Sequence, residues 1–340
     1  QNGRLMNLRE QDDVLKGKRI LITGGSGFIG SHLVEELITK NISQFPLKII
    51  GRKDHRNLTK RFGSKIDFVT GDLLDASFCQ KSFNEVDIVI HLANFKKNYG
   101  YHNQFPATMM DLNSKIDSNI IKACQENKIE KLIYGSSVAL YDFKEDLINE
   151  SDNFCIKDGS DVNTTPNYGY VIAKRFGENL CSAYNKESGL NVIIIRIDNT
   201  FGEGDDFDNY PQIIPRFIKD AMTKQKITVF GDGSNKRTFI YVKDLVRDII
   251  DLASSNFLEL KHRVYNLSSS EVLSLSNIAE LIKEILGDEM ISIEYTDENN
   301  LKKEYRTISN NLITIALGER KYHSMKEALQ NTISSIKIVQ

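Results

Sequence analysis

The 340 residues carry 44 lysines and arginines against 46 aspartates and glutamates, so a formal charge of -2 leaves neither a basic surface for nucleic acid nor an acidic tail. With 40% hydrophobic and 26% charged residues the chain can bury a large core, and no run approaches the roughly 18 consecutive apolar residues that span a bilayer. The four cysteines, Cys79, Cys124, Cys155 and Cys181, lie too far apart for a CxxC pair or a zinc pattern, and read as buried thiols of a reduced compartment.

Residues 1–17 are polar and uneven in pattern, and read as an N-terminal arm. They show no basic region followed by a short apolar stretch, so a cytoplasmic location is expected. From Lys18 short β-branched runs alternate with helical patterns. Strands are expected at 19–23, 47–50, 67–69, 87–91, 131–134 and 191–197, each apolar enough to lie in a sheet buried on both faces. Between them Leu33/Val34/Leu37/Ile38 and Leu112/Ile116/Ile120 recur every three or four residues, as the buried side of a helix does. The alternation predicts an α/β fold, a doubly wound parallel sheet over residues 18–200. After about Thr200 the chain turns to Gly- and Asp-rich loops and a helix stopped by Gly287, so 201–340 reads as a smaller α/β substrate-binding region. Segment 239–252, a strand followed by Leu245/Val246/Ile249/Ile250, is expected to return to the large domain as a further βα unit.

The first strand runs straight into Thr23-Gly-Gly-Ser-Gly-Phe-Ile-Gly30, which opens a helix. Gly24 permits a tight turn, Gly27 lets backbone approach a pyrophosphate, and Gly30 lets helix and strand pack closely. The phosphates would sit at the helix N-terminus, beside Phe28 and Ile29, where free N–H groups favour negative charge. The second strand ends in Gly51-Arg52-Lys53, two cations without a carboxylate. An acid at this point reads the ribose hydroxyls of NAD, whereas cations suit a 2′-phosphate. The turn therefore favours NADP(H), with NAD(H) as the alternative.

The GxxGxxG spacing resembles the extended short-chain dehydrogenase/reductase family, and more of that family's pattern follows in order. Asp72-Leu73 is similar to its adenine-contacting pair, His91-Leu92-Ala93-Asn94 to the turn beneath the cofactor, and Asn113 to the helix asparagine that supports the site. Tyr170-Val-Ile-Ala-Lys174 matches its YxxxK, and Ser137 in Tyr134-Gly-Ser-Ser-Val-Ala-Leu-Tyr141 takes the place of its catalytic Ser or Thr. On a helix the YxxxK spacing sets both side chains on one face, where an ammonium favours the phenolate of a tyrosine that is otherwise a poor base. Tyr168 competes, but only Tyr170 stands four residues before a lysine.

The resemblance extends to the nucleotide-sugar branch. Asn199, in Arg196-Ile-Asp-Asn-Thr-Phe-Gly202, is implied as a substrate contact. Arg237, in Phe230-Gly-Asp-Gly-Ser-Asn-Lys-Arg-Thr-Phe239, is implied to pair with the diphosphate, a task suited to a planar cation with several donors. Thr238 stands where that motif has Asp. Lys96 and Arg306 complete the candidate substrate contacts. Val138 and Ala139 replace the acid/base residues that dehydratases and decarboxylases carry there, and Ala139 with Gln212 replaces the Cys and His of the bifunctional epimerase/reductases. Two chemistries remain, reduction of a 4-keto nucleotide-activated sugar and 4-epimerisation, with reduction favoured by the basic turn; the remote alternative is a non-catalytic dinucleotide-binding protein, whose usual mark, a broken triad, is missing here. The family also implies a homodimer through two helices, one carrying YxxxK.

Overall fold

The computed structural model describes residues 14–143, 146–156, 162–163, 165–208, 212–296 and 306–336. Most of the expected N-terminal arm, residues 1–13, lies outside them.

Six strands follow the expected positions: β1 Ile20–Thr23, β2 Leu47–Gly51, β3 Ile66–Thr70, β4 Ile88–His91, β5 Lys131–Ser137 and β6 Val192–Ile197. With Val264–Leu267 they form one parallel sheet, in the order Val264–Leu267, β6, β5, β4, β1, β2, β3. Side chains of successive residues leave a strand on opposite faces, and the core divides accordingly. Ile20, Ile22, Ile88, Ile90, Ile133, Ile193 and Ile195 pack on one side, while Leu21, Val89, Leu132, Tyr134, Val192 and Ile194 pack on the other.

Helices cover both faces. On the first lie α1 (Phe28–Thr39), which buries Leu33, Val34 and Leu37, and α4 (Val242–Ser254), which buries Leu245, Val246 and Ile249. On the second lie α2 (Pro106–Glu126) and α3 (Tyr168–Ser188), contributing Ile116, Ile120, Ile121, Cys124 and Cys181. Strand order reverses between β1 and β4, so the crevice beyond their carboxyl ends is the place where such sheets take ligands.

Segment 239–252 returns to this sheet through its helix, α4, but not through its strand. The strand of segment 239–252 is only Ile240–Tyr241, because α4 begins at Val242, and it pairs with Thr200–Phe201 outside the main sheet. The seventh strand is instead Val264–Leu267, alongside β6. Beyond it the helix Leu275–Leu286 is stopped by Gly287 at φ 64°, as the sequence predicts. Among the described residues no helix is long and apolar enough to cross a membrane.

Candidate active site

The crevice begins at the glycine loop. Gly24 has φ 73°, a left-handed conformation that favours glycine, and a Cβ there would lie 2.8 Å from the Ala93 nitrogen. This contact ties the end of β1 to the turn after β4. Gly27 is the N-cap of α1, with no side-chain cap and no acid in the first turn. Its own Cβ would meet only the Gly24 carbonyl, at 3.1 Å. The first amides of α1, beside the half-buried Phe28 and Ile29, thus remain available to an anion. These residues fit the diphosphate of a dinucleotide.

Arg52 and Lys53 are exposed at the end of β2. The Ser26 hydroxyl donates to the Lys53 carbonyl at 3.0 Å, fastening the basic turn to the glycine loop. The nearest acid, Asp54, is already engaged: its carboxylate accepts from the Leu58 and Thr59 amides, both at 2.9 Å, and from the Thr59 hydroxyl at 2.6 Å. Asp72 is exposed and turns back on the Leu74 amide at 3.0 Å, while Leu73 is buried after β3. Leu92 and Ala93 are half-buried and Asn94 exposed. Asn113 lies behind this turn, with its amide fully used: it accepts from the Phe95 nitrogen at 2.9 Å and donates to the Phe95 and Met109 carbonyls. Its place is to hold the turn and not to reach the crevice.

The three candidate catalytic residues come from two elements. Ser137 ends β5, where its Oγ accepts from the Ala139 amide at 3.1 Å. An oxygen that is already accepting keeps its own O–H free to donate to a reacting oxygen. Tyr170 and Lys174 lie one turn apart on α3, Tyr170 half-buried and Lys174 1% exposed. The Lys174 ammonium donates to the Gly135 carbonyl of β5 at 3.0 Å and faces Asp117 Oδ2 at 3.5 Å. Small residues set this docking, since a Cβ on Gly169 would sit 1.9 Å from the Pro106 carbonyl of α2. A buried brace fixes the strand ends behind Ser137. Ser136 donates to Glu178 at 2.6 Å, Glu178 takes a bidentate pair from Arg196 (2.9 and 2.7 Å), and Arg196 reaches the Tyr141 hydroxyl at 2.7 Å. Ala139 offers no acid or base. The nearby Cys155 donates to its carbonyl at 3.6 Å, and burial raises that thiol's pKa.

At the substrate end, Arg237 and Arg306 stand opposite each other in a parallel β-bridge, which brings two candidate phosphate ligands together from distant sequence. Asn199 is half-buried, and both its backbone N–H and its side-chain amide are drawn to Asp198 Oδ1. Lys96 is exposed beside the buried Asp205, whose carboxyl burial pushes up to about 6 against the pull of this lysine. Gln212 begins the helix Ile213–Lys224 as its N-cap.

The sequence profile of the NAD dependent epimerase/dehydratase family matches residues 20–268. The protein belongs to that family. The resemblance carried by the glycine loop, YxxxK and the Ser137 segment is borne out over most of the chain. Among its relatives a Streptomyces dTDP-4-dehydro-6-deoxy-D-allose reductase is 29% identical over 278 residues, covering 80% of this chain and 82% of the relative. A putative UDP-glucose 4-epimerase of Methanocaldococcus jannaschii is 27% identical over 319 residues, 94% and 98% of the two chains. Among solved structures, the UDP-N-acetylglucosamine 4-epimerase of Methanobrevibacter ruminantium in complex with UDP-N-acetylmuramic acid superposes with a TM-score of 0.80. It is 26% identical, and the match covers 94% of this chain and 98% of that one.

Thr238 has a buried partner of its own. That partner is the carboxylate of Asp198, from a distant part of the sequence. Thr238 donates to it at 2.5 Å and Ser268 at 2.6 Å. Asp198 is fully buried, and burial outweighs these donors, pushing its carboxyl up to about 6. A raised folded pKa means that the native state binds a proton before the unfolded chain does, so this group favours folding increasingly as pH falls from 7 towards 5. Relative to Asp198→Asn, the wild type should therefore gain about 1 kcal/mol of stability between pH 7 and pH 5. Urea denaturation of both proteins across that range is the check, and a constant difference would contradict the assignment.

Proposed function

We propose that the protein is an NADP(H)-dependent reductase of a 4-keto nucleotide-activated sugar, acting at C4 with Tyr170 as the acid/base. The observation that carries this reading is the buried Lys174 ammonium on the helix of Tyr170, anchored to β5 two residues from Ser137. The amides at the start of α1, the Gly24–Ala93 contact and the Arg52/Lys53 turn would hold the dinucleotide, which when bound supplies the hydride. The chain's own residues handle the oxygen and its proton. The Ser137 hydroxyl donates to the carbonyl oxygen, and Tyr170 gives that oxygen its proton as the carbon is reduced. Lys174 stabilises the phenolate left behind until solvent returns a proton. Arg237 and Arg306 suit the two phosphates of the substrate.

The NADP(H) preference is supported by two exposed cations at the end of β2 and by an Asp54 already committed to its own turn. A second reading, 4-epimerisation with retained NAD, is favoured by the likeness in sequence and fold to the Methanobrevibacter 4-epimerase. One assay separates them. With a 4-keto sugar nucleotide, absorbance at 340 nm should fall with NADPH and far more slowly with NADH. Tightly bound NAD+ in the purified protein, together with interconversion of C4 epimers without added NADPH, would instead establish the epimerase.

A further inference from the structure

Asp117 lies on α2, in a part of the chain that the amphipathic pattern reads only as a helix side. It is fully enclosed between α2, α3 and the sheet. Three elements converge on its carboxylate. From β4, His91 Nε2 lies 3.0 Å from Oδ1; from β5, the Tyr134 hydroxyl donates to Oδ2 at 2.5 Å; from α3, Lys174 Nζ stands 3.5 Å from the same oxygen. The other ring nitrogen of His91 meets the Thr23 hydroxyl at 2.6 Å. Burial holds the imidazole neutral, so Thr23 donates to Nδ1 and Nε2–H donates to Asp117. The ring and the phenol contribute hydrogen bonds but no charge. One anion and one cation remain, and they face each other.

Room for the cluster is built into the helix of the reacting residues. A Cβ on Gly177 would lie 1.9 Å from the Tyr134 hydroxyl and 2.9 Å from Asp117 Oδ2. Among the described residues, the further ionisable groups near Asp117 are Cys181 and Glu178, both on α3. Burial raises the Cys181 thiol well above its ordinary range, so it adds no charge, while Glu178 is paired with Arg196. Burial also pushes the Asp117 carboxyl up, but Lys174, His91 and Tyr134 outweigh it and hold the group below the usual range.

We propose that Asp117 is a positioning residue of the active site, a buried counter-ion that keeps the Lys174 ammonium charged and aimed at Tyr170. The inference rests on Lys174 being the cation beside the acid/base tyrosine. An ammonium as enclosed as Lys174 loses the stabilisation of water, and a low-dielectric site then favours the neutral amine unless an anion compensates. With the amine neutral, Tyr170 loses the charge that favours its phenolate. Asp117 thus acts on the chemistry through Lys174 without touching substrate or cofactor.

The test is tyrosinate absorbance at 295 nm, titrated with pH and taken as the difference between each protein and its own Tyr170→Phe derivative, which requires no substrate. In Asp117→Asn the Tyr170 step should move upward by about one pH unit or more. In sugar-oxidation assays the acid limb of kcat should move with it, while KM stays within about twofold. Tyr134→Phe, which costs stability but keeps both charges, should leave the step in place. A step that stays put in Asp117→Asn, or moves equally in Tyr134→Phe, overturns the proposal. If Asp117→Asn does not fold, comparing Lys174→Met with Lys174→Met/Asp117→Asn decides the matter. Loss of the now uncompensated carboxylate should raise the melting temperature and leave the Tyr170 step without an upward shift; a further fall in melting temperature refutes the pairing. A wild type that turns over no nucleotide sugar yet shows the titration shift counts against the proposed reaction alone.

Discussion

Tyr170→Phe should turn over roughly 10²- to 10⁴-fold more slowly than the wild type, the range that a positioned proton donor contributes. Its KM and melting temperature should scarcely change. The reason for the separation is geometric. Tyr170 is half-buried at the crevice, and its ring meets His102 edge-on at a centroid distance of 5.7 Å. Phenylalanine keeps that ring contact and loses only the hydroxyl. Residual turnover is expected because, in the proposed mechanism, Ser137 would still donate to the reacting oxygen and the crevice would still orient the reactants. Tyr168→Phe, two residues earlier on α3, is the control and should retain nearly full turnover, since it does not share a helix face with Lys174. Steady-state kinetics with a 4-keto sugar nucleotide decide the point. Unchanged turnover in Tyr170→Phe would remove this residue from the chemistry.

What could be read from sequence follows from how local each signal is. The strands of the large sheet were legible because burial on both faces demands unbroken apolar runs, and Val192-Ile-Ile-Ile-Arg-Ile197 leaves little else to read. The family was legible from the glycine loop and YxxxK because each concentrates its pattern within eight residues. Val264-Tyr-Asn-Leu267 was not, since four residues after a polar loop carry no period, and only the exposed flank of β6 makes them a strand. Asp117 was hidden for another reason. On a helix whose apolar side runs through Leu112, Ile116 and Ile120, an aspartate reads as solvated, and only the fold brings His91, Tyr134 and Lys174 around it. The Asp198–Thr238 pair was half visible, as a threonine where the resembled motif has Asp, but its partner lies 40 residues away and becomes evident only through their hydrogen bond. Arg237 and Arg306 likewise become neighbours only through a bridge between distant segments.

The second large effect is expected at Gly30. A Cβ there would lie 2.2 Å from the Gly24 carbonyl oxygen and 2.7 Å from the Gly25 Cα. Both obstacles are backbone, so no side chain can rotate away. Gly30→Ala must lift α1 off the end of β1, and overpacking of this kind costs about 1–3 kcal/mol. The same displacement withdraws the amides that would meet the diphosphate, so dinucleotide affinity should fall by well over tenfold, a loss of more than about 1.4 kcal/mol. Gly27→Ala separates the two consequences. Its Cβ meets only the Gly24 carbonyl, at 3.1 Å, and the remaining space around it is where the diphosphate would approach. That variant should keep most of its stability and still lose affinity. Calorimetric melting and titration with NADPH and NADH, carried out on both variants, distinguish a lost helix position from a filled binding surface. If Gly30→Ala bound dinucleotide as tightly as the wild type, the close packing of α1 on β1 could not be what places the cofactor.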